Sequence, residues 1–190
     1  MRSVDNSYTD QQFVNRWSPR AFHPTPLQDD EIHALFEAAR WSPSCFNEQP
    51  WRFVIARSRE TREKFHSILN DSNRLWAEKA PLLIVVACKK HFDHNQKGNR
   101  WCEFDAGAAW MALALQAHSL GLASHAMGGV DVNKAHQICN IDPELYSVIC
   151  MVAVGRQAPL ASLPTALQER EKPSGRNPRA QFVFEASIPE

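Results

Sequence analysis

Glycine is scarce in this chain: seven residues in 190, at positions 98, 107, 121, 128, 129, 155 and 175. None builds a glycine-rich phosphate loop behind a candidate strand, so a Rossmann or P-loop nucleotide site is not supported. Net charge is lacking as well. The 21 basic and 21 acidic residues cancel, which leaves no electrostatic footprint for nucleic acid or an anionic membrane. The longest apolar runs, 81–88 and 106–115, fall well short of the roughly 20 residues that a bilayer span needs. Met1-Arg2-Ser3-Val4-Asp5-Asn6 lacks the apolar stretch of a secretory leader. A cytoplasmic protein is therefore expected. There are no repeats and no low-complexity segments.

Cysteine is sparse and unpatterned. Cys45, Cys88, Cys102, Cys139 and Cys150 are odd in number and show no CxxC pair, which argues against a disulfide framework or a zinc site. His91, His94 and Cys102 fit no metal template, so surface histidines and no metal are expected. Cys88 and Cys150 lie in apolar, strand-like runs and read as inert core thiols. Cys45 sits in a polar loop without a neighbouring His or Lys to make it a thiolate, and reads as a bystander.

What is present is an ordinary apolar content of 44% in a length that suits one domain with a substantial core. The expectation is a single domain over 1–190, with 1–12 and 180–190 as extended arms. Ile32, Leu35, Phe36 and Ala39 follow helical spacing and predict a helix over 28–40, with Pro26 near its first turn and Asp29, Asp30 and Glu31 at the positive end of its dipole. Residues 51–57 read as a strand, 59–69 as a surface helix, and 82–87 as a central strand buried on both faces. The longest helix spans 103–120 before Gly121 and is apolar nearly all round, which predicts burial on every side, within the chain or against a second subunit. Short strands are expected at 123–127, 147–154 and 181–184, with a helix at 132–139. Trp41, Trp51, Trp76 and Trp110 read as core anchors, with the alternative for Trp76 of covering a ligand.

The richest stretch is Pro43-Ser44-Cys45-Phe46-Asn47-Glu48-Gln49-Pro50-Trp51. Prolines at both ends forbid regular helix or strand and stiffen a loop of hydrogen-bonding groups between a helix and a strand, a common place for a ligand. Asn47 and Gln49 could equally satisfy the loop's own backbone. Upstream, Arg16-Trp17-Ser18-Pro19-Arg20 offers two cations and a hydroxyl, either to an anionic or carbonyl-rich partner or as a solvated arm.

In order and spacing these elements resemble the nitroreductase family of FMN-dependent oxidoreductases. The resemblance rests on Arg16, Ser18, Arg20 and Phe22; on Pro43, Ser44, Asn47, Gln49, Pro50 and Trp51; on Asp105, Gly107 and Ala108 opening the long helix; and on Gly155 followed by Lys172 and Arg176. It implies an α+β sandwich with a mixed central sheet flanked by helices, in an intertwined homodimer with FMN at the interface. By resemblance, Arg16 and Ser18, with Trp17, would hold the phosphate end of FMN, and Arg20 the pyrimidine edge of its ring. Ser44 and Asn47 would line the flavin from the partner subunit, and Pro43 and Gln49 would bind the cofactor from the same loop. Asn73 would bond the ring, and Met127, Gly128 and Gly129 would bring a backbone N–H to N5. Lys172 and Arg176 would reach the phosphate, or else remain solvated. The implied activity passes a hydride from NAD(P)H through FMN to a nitroaromatic, quinone or similar conjugated acceptor in a ping-pong cycle. Alternatives are a dehalogenase or flavin-fragmenting oxygenase of the same fold, or a non-catalytic flavin-binding protein.

Overall fold

The computed structural model of the protein describes residues 8–188. The elements follow in the order α1 (Gln11–Asn15), α2 (Asp29–Arg40), β1 (Trp51–Ala56), α3 (Arg59–His66), α4 (Asp71–Ala77), β2 (Leu82–Lys89), α5 (Cys102–Ser119), β3 (Ala123–Met127), α6 (Val132–Ile138), β4 (Tyr146–Gly155) and α7 (Thr165–Gln168). Among the described residues no helix is long and apolar enough to cross a membrane. Of the two arms expected from the sequence, residues 1–7 and 189–190 lie outside the described part, and α1 already begins inside the first.

The strands form one sheet in the order β1-β2-β4-β3. Strand β2 explains the architecture. Its residues from Leu82 to Cys88 are buried, and their side chains alternate between two cores, as the two-residue period of a strand demands. Leu83, Val85 and Ala87 meet Phe65, Ile68, Trp76 and Ala135 on one face, under α3, α4 and α6. Leu82, Ile84, Val86 and Cys88 meet Ile32, Leu35, Ala109 and Leu113 on the other, under α2 and α5. Each such branched side chain contributes about 1.5–3 kcal/mol of hydrophobic stabilisation. Capping follows the sequence: Ser58, Asn70 and Asp131 accept from the backbone N–H groups of Thr61, Asn73 and Lys134. Gln28 N–H donates to Glu31 at 2.8 Å, so α2 begins after Pro26 rather than around it.

Several expectations are corrected. Every strand pair is antiparallel, so the sheet is not mixed. Strands β2 and β3 run the same way, but β4 lies between them and no parallel neighbours arise. The expected strand at 181–184 is instead a 3-10 turn at Arg179–Gln181, where Phe182 and Val183 donate back to the Arg179 carbonyl. Helix α3 stops at His66, and the chain then folds back through Leu69, which bridges Val130. Trp41 is no core anchor: it is 73% exposed, held by Glu37 at 2.9 Å and by the Arg40 guanidinium over its ring. Helix α5 is covered by the sheet and α2 on one side only. Phe104 on its other side is 74% exposed.

Candidate functional site

The basic arm leaves α1 and runs along the edge of the sheet. Arg16 caps α1 and donates through Nη1 to Ser18 Oγ at 3.4 Å. The next backbone groups are each engaged by a distant part of the chain. The Pro19 carbonyl accepts from His125 Nδ1 at 2.9 Å. Since a carbonyl can only accept, the proton sits on Nδ1 and leaves Nε2 as an acceptor. The N–H groups of Arg20 and Ala21 both donate to Glu171 Oε1, at 2.7 and 2.9 Å. The Arg20 guanidinium lies 3.7 Å from Glu171 Oε2 and 3.4 Å from the Arg170 carbonyl. The Ala21 carbonyl accepts from Ala158, and His23 donates to Arg156. Phe22 is buried and stacks on Trp76 at 6.1 Å, and Trp76 lies 4.6 Å from the His125 ring. Trp76 is thus a core residue that props the arm. Burial pushes the His125 pKa down, against the raising effect of its bond to Pro19; the Arg16 and Arg20 charges lower it further and Glu171 opposes them.

A cleft of about 230 Å³ opens beside the arm, lined among others by Arg16, Trp17, Pro19, His118 and Ser124. Ser124 is buried, and its hydroxyl has no hydrogen-bond partner among the described residues. An orphaned hydroxyl beside a guanidinium suits an oxygen-rich anion.

The second group stands at the end of β3. Gly129 offers its carbonyl to Asn70 N–H at 3.1 Å and to Asn73 Nδ2 at 3.0 Å. A Cβ on Gly129 would meet Asn70 Nδ2 at 2.2 Å, whereas one on Gly128 would meet nothing within 4 Å. The pair is thereby divided: Gly129 is packed against the α4 asparagines, and Gly128 faces open space. A cleft of about 440 Å³ adjoins both, with Asn70, Arg74 and Lys134 in its wall. The Met127 side chain belongs to the sheet core. Helix α4 carries Asn73 and Trp76, so it links this group to the arm.

The proline-clamped loop is built differently. Phe46, Asn47 and Gln49 all have positive φ, at 54°, 57° and 50°, a region costly for side chains other than Asn. Ser44 Oγ accepts from Gln49 N–H, and Gln49 Nε2 donates to the Asn47 carbonyl, so both residues satisfy the loop itself. The tie to the rest of the fold includes buried Asp105, which accepts from Cys45 N–H at 3.1 Å. Ser44 is half-buried, while Pro43, Asn47 and Gln49 are exposed. Phe46 is 78% exposed and meets Phe92 edge-on, with His94 beside both.

Asp105 opens α5 and His118, in the wall of the arm's cleft, closes it. At 1.5 Å per residue these positions are about 20 Å apart. One chain therefore does not bring its own loop to its own arm. Of the late basic pair, Lys172 is exposed and directly follows Glu171, and Arg176 donates to Ser174 and Gly175 of its own segment. The tail instead delivers Glu171. Sequence reasoning missed Glu171, His125 and the anchoring role of Asp105. Glu171 meets Arg20 across 151 positions from within the charged run Glu169–Lys172, where nothing local marks it. His125 left a trace as a polar residue inside a short strand.

Cys88 and Cys102 are buried with sulfurs 2.9 Å apart, and burial, reinforced by the neighbouring thiol, pushes Cys88 up. Burial holds Cys139 and Cys150 up at about 11.

Comparison with known proteins bears on this arrangement. A solved structure described as an oxidoreductase containing FMN superposes with a TM-score of 0.94 at 38% identity, covering 99% of this chain and 96% of its own. A Streptomyces coelicolor protein provisionally named an NADH dehydrogenase/NAD(P)H nitroreductase is 25% identical over 85% of this chain and 91% of its own length. The CLA biosynthesis enone reductase of Lactiplantibacillus plantarum is 24% identical over 82% of this chain and 88% of its own. The profile of the nitroreductase family matches residues 14–74 and 68–156. With the fold, the basic arm and the proline-clamped loop in the matched order, this chain belongs to the nitroreductase family.

Proposed function

We propose that this chain is a single-domain, FMN-dependent oxidoreductase that moves a hydride from NAD(P)H to a conjugated acceptor, with two copies completing each cofactor site. The observation that carries the reading is the arm: two guanidinium groups and a hydroxyl on a backbone fixed by His125, Glu171 and Ala158, beside a cleft holding an orphaned Ser124 hydroxyl. That set fits FMN along its length, with Arg16 and Ser18 toward the ribityl and phosphate end and Arg20 toward the ring. When bound, FMN supplies the capacity to accept a hydride and pass it on, so no side chain need act as nucleophile.

The chain's own residues bind and orient. Arg16 and Ser18, flanked by Trp17, take the phosphate and ribityl oxygens, and Arg20 sets a cation at the pyrimidine edge. Gly128 lets a ring approach its backbone closely because nothing occupies the space a side chain would fill. Asn73, fixed by its bond to Gly129, stands beside that approach. Because one chain separates loop and arm by the length of α5, Pro43, Ser44, Asn47 and Gln49 serve the site of the second copy. The exposed side of α5 around Phe104 is the surface on which the copies meet. Donor and acceptor use the same open face in turn, which is a ping-pong order. Nitroaromatics, quinones and enones share the conjugation this requires, and the enone reductase relative supports the last of these.

The test is direct. Purified protein should be yellow or take up FMN in equal proportion to chains, elute as a dimer, and oxidise NAD(P)H with a quinone, nitroaromatic or enone present. Arg16→Ala should weaken FMN uptake. A colourless protein that binds no FMN and oxidises no nicotinamide with any acceptor would refute the proposal. Uptake of FMN without reduction by NADH or NADPH would favour the non-catalytic reading, and fragmented flavin or released halide the specialised ones.

A further inference from the structure

We infer that Glu171 is a positioning residue that fixes Arg20 and offsets its charge, and so lowers the reduction potential of the flavin. The inference rests on the reading of Arg20 as the cation at the pyrimidine edge. The Glu171 side chain is 2% exposed, although it comes from a tail whose neighbours Glu169, Arg170 and Lys172 are exposed. Its Oε1 accepts two backbone N–H groups, from Arg20 at 2.7 Å and Ala21 at 2.9 Å. Its Oε2 is buried without a hydrogen-bond partner among the described residues, 3.7 Å from the Arg20 guanidinium.

Two consequences follow from that geometry. A buried carboxylate oxygen without a donor is stable only while a cation stands near it, so the guanidinium of Arg20 cannot swing away without stranding the charge. The carboxylate grips the backbone of Arg20 and faces its side chain together, which fixes where the cation sits. The separation is too long for a hydrogen bond but well within strong Coulombic range at low dielectric. The pair therefore presents much less than a full positive charge. Reduced flavin carries negative charge near N1 and the C2 carbonyl, and an uncompensated cation there would stabilise it. Glu171 holds that stabilisation back. His125 and Arg16 face the same spot, and the bond from His125 to Pro19 keeps the segment in register.

The experiment measures the midpoint potential of bound FMN, its dissociation constant and the thermal midpoint, in the wild type, Glu171→Gln, Arg20→Gln and the double variant. Glutamine at 171 keeps an oxygen for both backbone donors, so the arm retains its shape while the cation is unmasked. The potential should rise in Glu171→Gln, fall in Arg20→Gln, and return near the wild-type value in the double variant. Should Arg20→Gln fold poorly because it leaves a buried carboxylate alone, the single Glu171→Gln variant and the double variant still decide the question. A potential unmoved by Glu171→Gln but lowered by Arg20→Gln overturns this inference and leaves the FMN reading standing. Lower thermal stability and weaker FMN binding in Glu171→Gln, at constant potential, would make Glu171 a structural clamp and also overturns it. Failure of the wild type to bind FMN overturns both.

Discussion

The basic arm and the proline-clamped loop differ in charge and are opposite in construction. Both are short polar stretches between regular elements, and both are punctuated by proline. The arm owes its shape to remote partners: His125, Glu171, Ala158 and Arg156 each take a backbone group between Pro19 and His23, and no residue there is left-handed. The loop owes its shape largely to itself. Ser44 accepts from Asn47 and Gln49, Cys45 from Glu48, and Asn47 from the Gln49 side chain, and three side-chain-bearing residues are left-handed. The arm is rigid because the fold holds it. The loop is stiff because its own backbone is strained, with Asp105 as its buried tether. Strain of this kind persists where geometry matters more than stability.

The sharpest way to break the arm is Glu171→Ala. It leaves two N–H groups without their acceptor and an arginine without its counter-charge, and should cost about 3 kcal/mol in a urea unfolding titration. The matching cut at the loop, Asp105→Ala, removes the Cys45 partner and an acidic residue from the first turn of α5. It should cost about 1–2 kcal/mol by the same measurement. A smaller effect of opposite sign tests the strain. Gln49→Gly suits a φ of 50° and should stabilise the protein by up to about 1 kcal/mol, with no such gain from glycine at Arg20. Because Gln49→Gly also removes the Gln49 Nε2 bond to the Asn47 carbonyl, a loss larger than the roughly 1 kcal/mol of that bond would mean that the loop is not strained.

The finest distinction is in pH. His125 is held below its ordinary value of 6.5 by burial, so as pH falls the unfolded state takes up the proton before the native state does. The stability that neutral His125 allows is complete above that value and is lost as pH drops through and below it. His66, also lowered by burial, gives a slope of the same sign. The informative quantity is the difference between wild type and His125→Gln: the variant should lose less stability between pH 7.5 and 5. Loop variants should leave that slope unchanged.

The sequence marked both regions but not how they differ. Helical spacing located α2, and apolar runs closed by glycine or turn signals located α5, β2, β3 and β4, each within a residue or two, because burial selects apolar residues directly. Helix α4 escaped because Asp71-Ser72-Asn73-Arg74 is polar and its start depends on the Asn70 cap. Strand direction escaped because periodicity is blind to it. Phe182-Val183-Phe184 has strand composition, but β1 and β3 are the sheet's outer strands here and the segment turns on itself instead. The arm's cations and the loop's amides were visible as residue types. Their partners were not, since Glu171 and His125 lie more than 100 positions from the arm they hold.

The divided glycine pair has a consequence for how this protein can change. At position 129 a Cβ would displace the side-chain amides of Asn70 and Asn73, so substitution there disturbs the start of α4. At position 128 a Cβ would meet nothing within 4 Å, so the packing leaves room for a side chain. A saturation library at each position would separate the two pressures. Variants at 129 should lower the thermal midpoint by displacing the two asparagine amides, whereas variants at 128 should keep it and, on the function proposed above, differ in FMN uptake.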